Sequence, residues 1–203
     1  MLNYDNIYTV YERIKDNTRN KSKIFMFALN LNSNVYSILK DLYDEKYTFG
    51  KYNIFLIKEP KYRIIMSENI SDKVVNHLIS NYILLPRLDK SLIDSNVATR
   101  KGKGGSYAFH LFKKYVKYLS NKGNSIYVLK IDISKYFYNI DHECLIKMLK
   151  TKIKDEKAIN LLSKIVDTSN ENYVNLNIQK IKGNEIKRIK KLNISENEKN
   201  KKN

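Results

Sequence analysis

At 203 residues, 42% of them hydrophobic, the chain has room for one domain or for part of a larger one. Lys and Arg total 38 against 21 Asp and Glu, a formal net charge of +17 that points to a polyanion, nucleic acid before membrane, although a composition rich in Lys, Asn, Ile and Tyr also follows from A/T-rich codons. A single cysteine, Cys144, excludes an intramolecular disulfide and a cysteine metal cluster, and no stretch is long enough to span a membrane.

The opening Met-Leu-Asn-Tyr-Asp-Asn lacks the apolar core of a signal peptide, so a soluble, cytoplasmic protein with no membrane partner is the expectation. Ile7, Val10, Tyr11 and Ile14 fall at helical spacing and predict an amphipathic helix over 5–16. A basic stretch over 19–23 leads to a second apolar segment, 24–31. Ser33 then has the chemistry to cap a third helix carrying Val35, Ile38, Leu39 and Leu42. This helical segment, 1–46, offers packing or a surface for a structured RNA and no chemistry.

From Tyr47 the pattern turns to β. Two runs, 52–57 and 62–66, flank Lys58-Glu-Pro-Lys61, where Pro60 and the charges mark a turn, so a two-stranded hairpin is predicted. Lys58, Lys61 and Arg63 gather near its tip, where cations suit a triphosphate. Ser71 then reads as the cap of a helix with Val74, Val75, Leu78, Ile79 and Tyr82 on one face, stopped by Pro86.

Arg100-Lys-Gly-Lys-Gly-Gly-Ser-Tyr-Ala makes an anion-friendly loop at the start of a helix. Backbone amides approach phosphate where side chains are missing, and Arg100, Lys101 and Lys103 add charge. It is neither a P-loop nor a dinucleotide fingerprint, because the Gly and Ser/Thr spacings and the leading strand are wrong. Ala108, Phe112, Val116 and Leu119 continue as an amphipathic helix.

The run 126–131 is apolar and β-branched, and predicts a buried strand ending in Asp132. Tyr136 and Phe137 follow, and Asp141 is placed to cap a helix bearing Leu145, Met148 and Leu149. A lone strand-end Asp is common as a turn residue. The wording of the segment goes further.

Lys130-Ile-Asp-Ile-Ser-Lys-Tyr-Phe-Tyr-Asn-Ile-Asp-His resembles the first palm motif of reverse transcriptases. The hairpin resembles their fingers hairpin. The glycine loop resembles a signature that precedes the first palm motif in bacterial members, closest in wording to those of diversity-generating retroelements, with retron and group II intron enzymes as cousins. Family members often carry Thr-His where this chain has Gly105-Ser106. The three blocks occur in family order across 47–149.

The resemblance implies that Asp132, with the backbone carbonyl of Ile133, binds Mg²⁺ and is catalytic, and that Phe137 is the steric gate against a ribose 2′-hydroxyl. It also implies that Lys61 and Arg63 contact the incoming deoxynucleoside triphosphate, with Arg100, Lys101 and Lys103 on nucleic acid, namely an RNA template and a DNA primer.

Beyond a further helix at 155–166, the family's Gly-Leu-Pro-X-Gly-Asn and Tyr-X-Asp-Asp motifs do not appear. Two-metal phosphoryl transfer needs several carboxylates around cations about 3.5–4 Å apart, which one Asp cannot supply. The segment 171–203 reads as a basic, disordered tail, within which Ile178, Ile181, Ile186 and Ile189 have the spacing for a short helix. The fold expected is therefore α/β (α+β): polymerase right-hand fingers and partial palm over 47–170, truncated before the remaining palm motifs. The function expected is that of a reverse-transcriptase fragment, completed by a C-terminal polymerase segment; the alternative is a catalytically inactive polymerase-like RNA-binding module.

Overall fold

A computed structural model describes residues 2–123 and 125–200, without the side chains of Tyr138 and 189–200. It is predominantly helical with one two-stranded sheet among the described residues, a mixed α+β chain. Contacts divide it into two compact units. One takes Met1–Ile79 together with Asp155–Asn203, the other Ser80–Lys154. The division differs from the segment boundaries expected at 46 and 170, because the later helices return to the hairpin and to the segment around Glu45 and Tyr47.

The first unit opens with α1 (Tyr4–Asn17), α2 (Lys21–Ala28) and α3 (Leu31–Tyr43). The predicted stripe of α1 is its buried face: Ile7, Val10, Tyr11 and Ile14 are all closed from solvent. Tyr11 stacks on Phe27 of α2 with ring centroids 5.2 Å apart. The side chains of Asn3 and Asn20 cap α1 and α2 by accepting from the amides of Asn6 and Lys23. Ser33 does not cap α3, which starts two residues earlier. Asn34 instead donates from Nδ2 to the Phe27 carbonyl at 2.8 Å, fastening α3 to the end of α2.

Strands β1 (Asn53–Ile57) and β2 (Arg63–Ser67) pair antiparallel, with Ile57 opposite Arg63 and Asn53 opposite Ser67. The turn between them contains Pro60, as the sequence predicts. Helix α4 (Ile70–Ile79) follows and buries Val74, Val75, Leu78 and Ile79 against α1 and its neighbours. Its cap is Asn69 rather than Ser71: Asn69 Oδ1 accepts from the Asp72 amide at 2.8 Å.

Asp72 is only 4% exposed, which is costly for a carboxylate unless donors surround it. Three do: the Tyr47 hydroxyl at 2.8 Å, the Gly50 amide at 2.9 Å and Asn69 Nδ2 at 2.8 Å. A side chain at Gly50 would collide with the Asn69 amide, so the close approach of backbone to carboxylate requires glycine there. Burial first, and then the neighbouring Asp72 charge, push the Tyr47 phenol well above its ordinary pKa.

Helix α8 (Glu156–Asp167) is capped by Asp155 and buries Ala158, Ile159 and Leu162. Lys164 donates to the carbonyls of Glu45 and Tyr47 at 3.0 and 3.3 Å. Where composition predicts a tail, the chain forms α9 (Asn172–Asn200), which packs on β1. Val174 is buried, and Ile178, Ile181 and Glu185 follow it at helical spacing with partial burial. Lys58 Nζ meets Glu185 at 2.9 Å, and Tyr173 accepts the Tyr52 amide at 2.9 Å. The sequence marks Ile178 and Ile181 as candidates for a short helix, but not the length of the helix or its packing, because a hairpin elsewhere in the chain supplies the partner. Residues 201–203 lie outside the described residues.

The second unit begins with a π-helical turn, Ser80–Leu84, and α5 (Leu85–Leu88). Pro86 does not end the helical path. It sits in the first turn of α5, where a missing amide breaks no bond within that helix. Arg87 Nη1 donates to the Tyr82 and Ile83 carbonyls at 3.3 and 3.1 Å. Helices α6 (Gly105–Ser120) and α7 (His142–Lys152) follow, and neither buries a residue. The predicted strand at 126–131 does not form. Residues 125–133 carry no regular structure and pair with nothing among the described residues. A strand needs a ladder partner for its amides and carbonyls, and no strand among the described residues of this unit offers one.

Candidate nucleic-acid interface

The hairpin turn puts Lys61 just before β2 and Arg63 on its first residue, both exposed. Neither has an ion pair among the described residues, whereas Lys58, on the other side of the turn, is held by Glu185. The two cations that the resemblance assigns to a triphosphate therefore share one exposed tip without an ion pair among the described residues.

The glycine loop of the second unit is more self-contained than its sequence suggests. Arg100 donates five hydrogen bonds: Nε and Nη2 to the Asp89 carboxylate at 2.7 and 3.2 Å, Nη2 also to the Asp89 carbonyl at 3.3 Å, and Nη1 to the carbonyls of Ile93 and Asn96 at 3.0 and 3.1 Å. A guanidinium has five N–H donors, so Arg100 has none left for a ligand without breaking one of these. Lys103 pairs with Asp94, and the Tyr107 hydroxyl donates to the same carboxylate at 2.9 Å. Hydrogen bonds from these cations, and for Asp94 also from Tyr107, hold Asp89 and Asp94 below the ordinary carboxylate range.

Lys101 is exposed and has no ion pair among the described residues. Gly104, at the cap position of α6, supplies no side-chain hydrogen bond, and the space around Gly102, Gly104 and Gly105 is open. The first amides of a sixteen-residue helix are thus presented beside one free lysine, an arrangement that favours an anion. Of the three loop cations, two staple the loop and one faces solvent.

Asp132 and Ile133 lie on the irregular stretch 125–133, most of whose apolar side chains face solvent: Tyr127 is 91% and Leu129 83% exposed. Asp132 is exposed and makes no ion pair among the described residues. Lys135 follows in the left-handed region, φ 51°, and turns the chain into a short 3₁₀ turn, Tyr136–Tyr138. Phe137 is 85% exposed and touches Tyr136 edge to face at 5.4 Å. Asp141 caps α7 as its spacing predicts, accepting from the Cys144 amide at 2.8 Å, which commits that carboxylate to the helix.

The donor set does not fit a two-magnesium centre by itself. No group of three or more His, Cys, Asp or Glu side chains comes together among the described residues. Mg²⁺ takes oxygen ligands in near-octahedral geometry, and Asp132 with the Ile133 carbonyl supplies one edge of such a shell. The sequence reading missed the Asp72–Tyr47 pair, which joins residues 25 apart; its only signal is an Asp three residues after an Asn at a helix start.

No helix of the described residues is long and apolar enough to cross a membrane. No protein-family model matches the chain, and no curated protein sequence does.

Proposed function

We propose that this chain is the fingers and first palm segment of a reverse-transcriptase-like polymerase. By itself it holds RNA, and it takes part in RNA-directed DNA synthesis when a further polymerase segment supplies the missing strands and carboxylates. The reading rests on the ordered motifs in the sequence. The observation that carries it is the stretch 125–133, a strand-like apolar sequence bearing an exposed carboxylate and no ladder partner among the described residues. Backbone groups and large side chains left open in this way are what an incomplete sheet presents.

The uncompensated Lys61, Arg63 and Lys101 support contact with phosphates, as does the net charge of +17. In the completed complex Asp132 and the Ile133 carbonyl would contribute to holding Mg²⁺, Phe137 would line the sugar site, and a DNA primer and deoxynucleoside triphosphates would be the other partners. Magnesium stabilises charge on the transferring phosphoryl group in such chemistry. The second reading, an RNA-binding module without chemistry, is favoured by the donor set: a single exposed carboxylate where several are required.

The test is a primer-extension and RNA-binding assay on the purified chain, with and without the polypeptide encoded by any open frame downstream of codon 203. RNA binding without extension by the chain alone, and Asp132-dependent extension after addition of that polypeptide, is the expected result. Templated extension by the chain alone overturns the claim of incompleteness. A downstream sequence with no polymerase motif in any frame leaves the binding reading in place of the enzyme one.

A further inference from the structure

A cavity of about 470 Å³ opens in the first unit where α2, the foot of the hairpin and the start of α4 meet. None of the residues implicated above lines it. Its cations are Lys23 and Lys51, and around them stand Ser22, Asn53, Ser67 and Ser71. No ion pair engages either lysine among the described residues. Lys51 Nζ lies over the Tyr173 ring, 5.6 Å from its centroid, and that ring is fixed by the hydrogen bond its hydroxyl accepts from Tyr52. The cation is thus positioned by an aromatic face and leaves its donors unused.

No carboxylate lines the cavity. Asp72, the residue after Ser71, does not line it, and its oxygens are taken up by three hydrogen bonds. A pocket with two unpaired ammonium groups, three hydroxyls and the side-chain amides of Asn34, Asn53 and Asn69, and with no acceptor-only group, selects a ligand rich in oxygen acceptors and negative charge. Phosphate has both properties, and Lys serves it as a point charge. One wall is apolar, made by Met26, Phe27 and Ile70, and Met26 is 63% exposed. An exposed, polarisable thioether gives a flat heterocycle an apolar surface to rest on. The volume lies within the range of about 300–1,000 Å³ typical of small-molecule sites.

We propose that this cavity binds the phosphate of a nucleotide unit through Lys23 and Lys51, with the base against Met26 and Phe27. The chemistry is the same whether the unit is a free nucleotide or one link of a single RNA strand. The assignment does not depend on the polymerase reading. It requires only an anionic, base-bearing ligand, and it would hold for a chain that never polymerises.

The test compares the full chain with two variants of equal net charge, Lys23→Gln/Lys51→Gln at the cavity and Lys147→Gln/Lys150→Gln on α7. The probes are adenosine 5′-monophosphate and a short fluorescently labelled single-stranded RNA, titrated at several salt concentrations, with circular dichroism to check that both variants fold. The cavity variant should weaken RNA binding by about tenfold and flatten the log–log salt dependence by about 1.4, the change for two phosphate contacts on a single strand. The α7 variant should leave binding nearly unchanged.

Lysine-dependent binding of the mononucleotide as well identifies a free nucleotide as a sufficient ligand; lysine-dependent binding of RNA alone identifies the strand. Equal losses in the two variants overturn the proposal, because bulk charge would then account for the affinity. So does binding of both probes that is indifferent to Lys23 and Lys51. The same assay on a Lys61→Gln/Arg63→Gln/Lys101→Gln variant reads the polymerase-type surfaces separately, so loss of one site is distinguishable from loss of the other.

Discussion

In the unit that contains α1, α3 and α4, Ile7, Val35, Val74 and Val75 are fully closed from solvent, and the one buried carboxylate is met by three donors. In the unit over Ser80–Lys154, α6 carries Phe109, Phe112, Tyr115 and Tyr118 all about half open to solvent, and the irregular stretch 125–133 exposes Tyr127, Val128, Leu129, Ile131 and Ile133. The two regions have similar sequence patterns, with apolar residues at helical or strand spacing. What separates them is whether a complementary face lies within the same unit. Periodicity says that a segment has an apolar face; it does not say that the face is covered.

The largest effect should come from breaking the function assigned to the open region. Asp132→Ala is expected to leave the circular dichroism spectrum and thermal midpoint of the chain unchanged, since the exposed carboxylate makes no ion pair. In a completed polymerising complex the same change should abolish nucleotide incorporation, and Phe137→Ala should admit ribonucleotides. Incorporation that survives Asp132→Ala removes this residue from the mechanism. Unchanged sugar discrimination in Phe137→Ala shows that the ring is not the gate.

The closed region should respond in stability rather than activity. Asp72→Ala orphans the Tyr47 hydroxyl, the Gly50 amide and Asn69 Nδ2 together, and should cost about 3 kcal/mol in urea denaturation. Leu129→Asn, at a position 83% exposed, should change stability by less than about 0.5 kcal/mol. A Leu129→Asn loss as large as that of Asp72→Ala would mean that the stretch 125–133 is buried in solution and that the contrast between the two regions is false. The raised phenol of Tyr47 adds a pH signature. Because its folded pKa lies above the unfolded value, its contribution is complete below about pH 10 and is lost as alkali rises beyond that. Tyr47→Phe should blunt the alkaline loss.

These contrasts also say where the sequence is legible. The α1 stripe, the hairpin, the apolar face of α4 and the Asp141 cap are local patterns, and each appears where its spacing predicts. What depends on distant partners was not legible. The stretch 126–131 has every local mark of a buried strand, but a ladder requires a second strand. Tyr47 and Asp72 meet across 25 residues, and α9 gains its place from β1 more than 100 residues earlier. At the glycine loop the sequence shows three cations and cannot show that Asp89 and Asp94 already hold two of them.

That last point yields the smallest and most specific prediction. Asp89 and Asp94 titrate below the ordinary Asp value of about 3.9 because Arg100 and Lys103 bind their charged forms. A depressed folded pKa means that the ion pairs are complete above the ordinary value and are lost as pH falls through the lowered one. Acidification below about pH 4 should therefore loosen the loop, seen as faster amide hydrogen exchange at residues 94–104, before α1 and α4 respond. The same loss of charge can be imposed at neutral pH with Asp89→Asn/Asp94→Asn, which removes the ion pairs of Arg100 and Lys103, leaving only their bonds to backbone carbonyls, without titrating anything else. If the loop faces RNA, that variant should bind single-stranded RNA more tightly and with a salt dependence steeper by about 0.7 for each newly engaged cation. If its salt dependence matches that of the parent chain while exchange over 94–104 quickens, the loop opens without touching RNA, and Arg100 and Lys103 act only as staples.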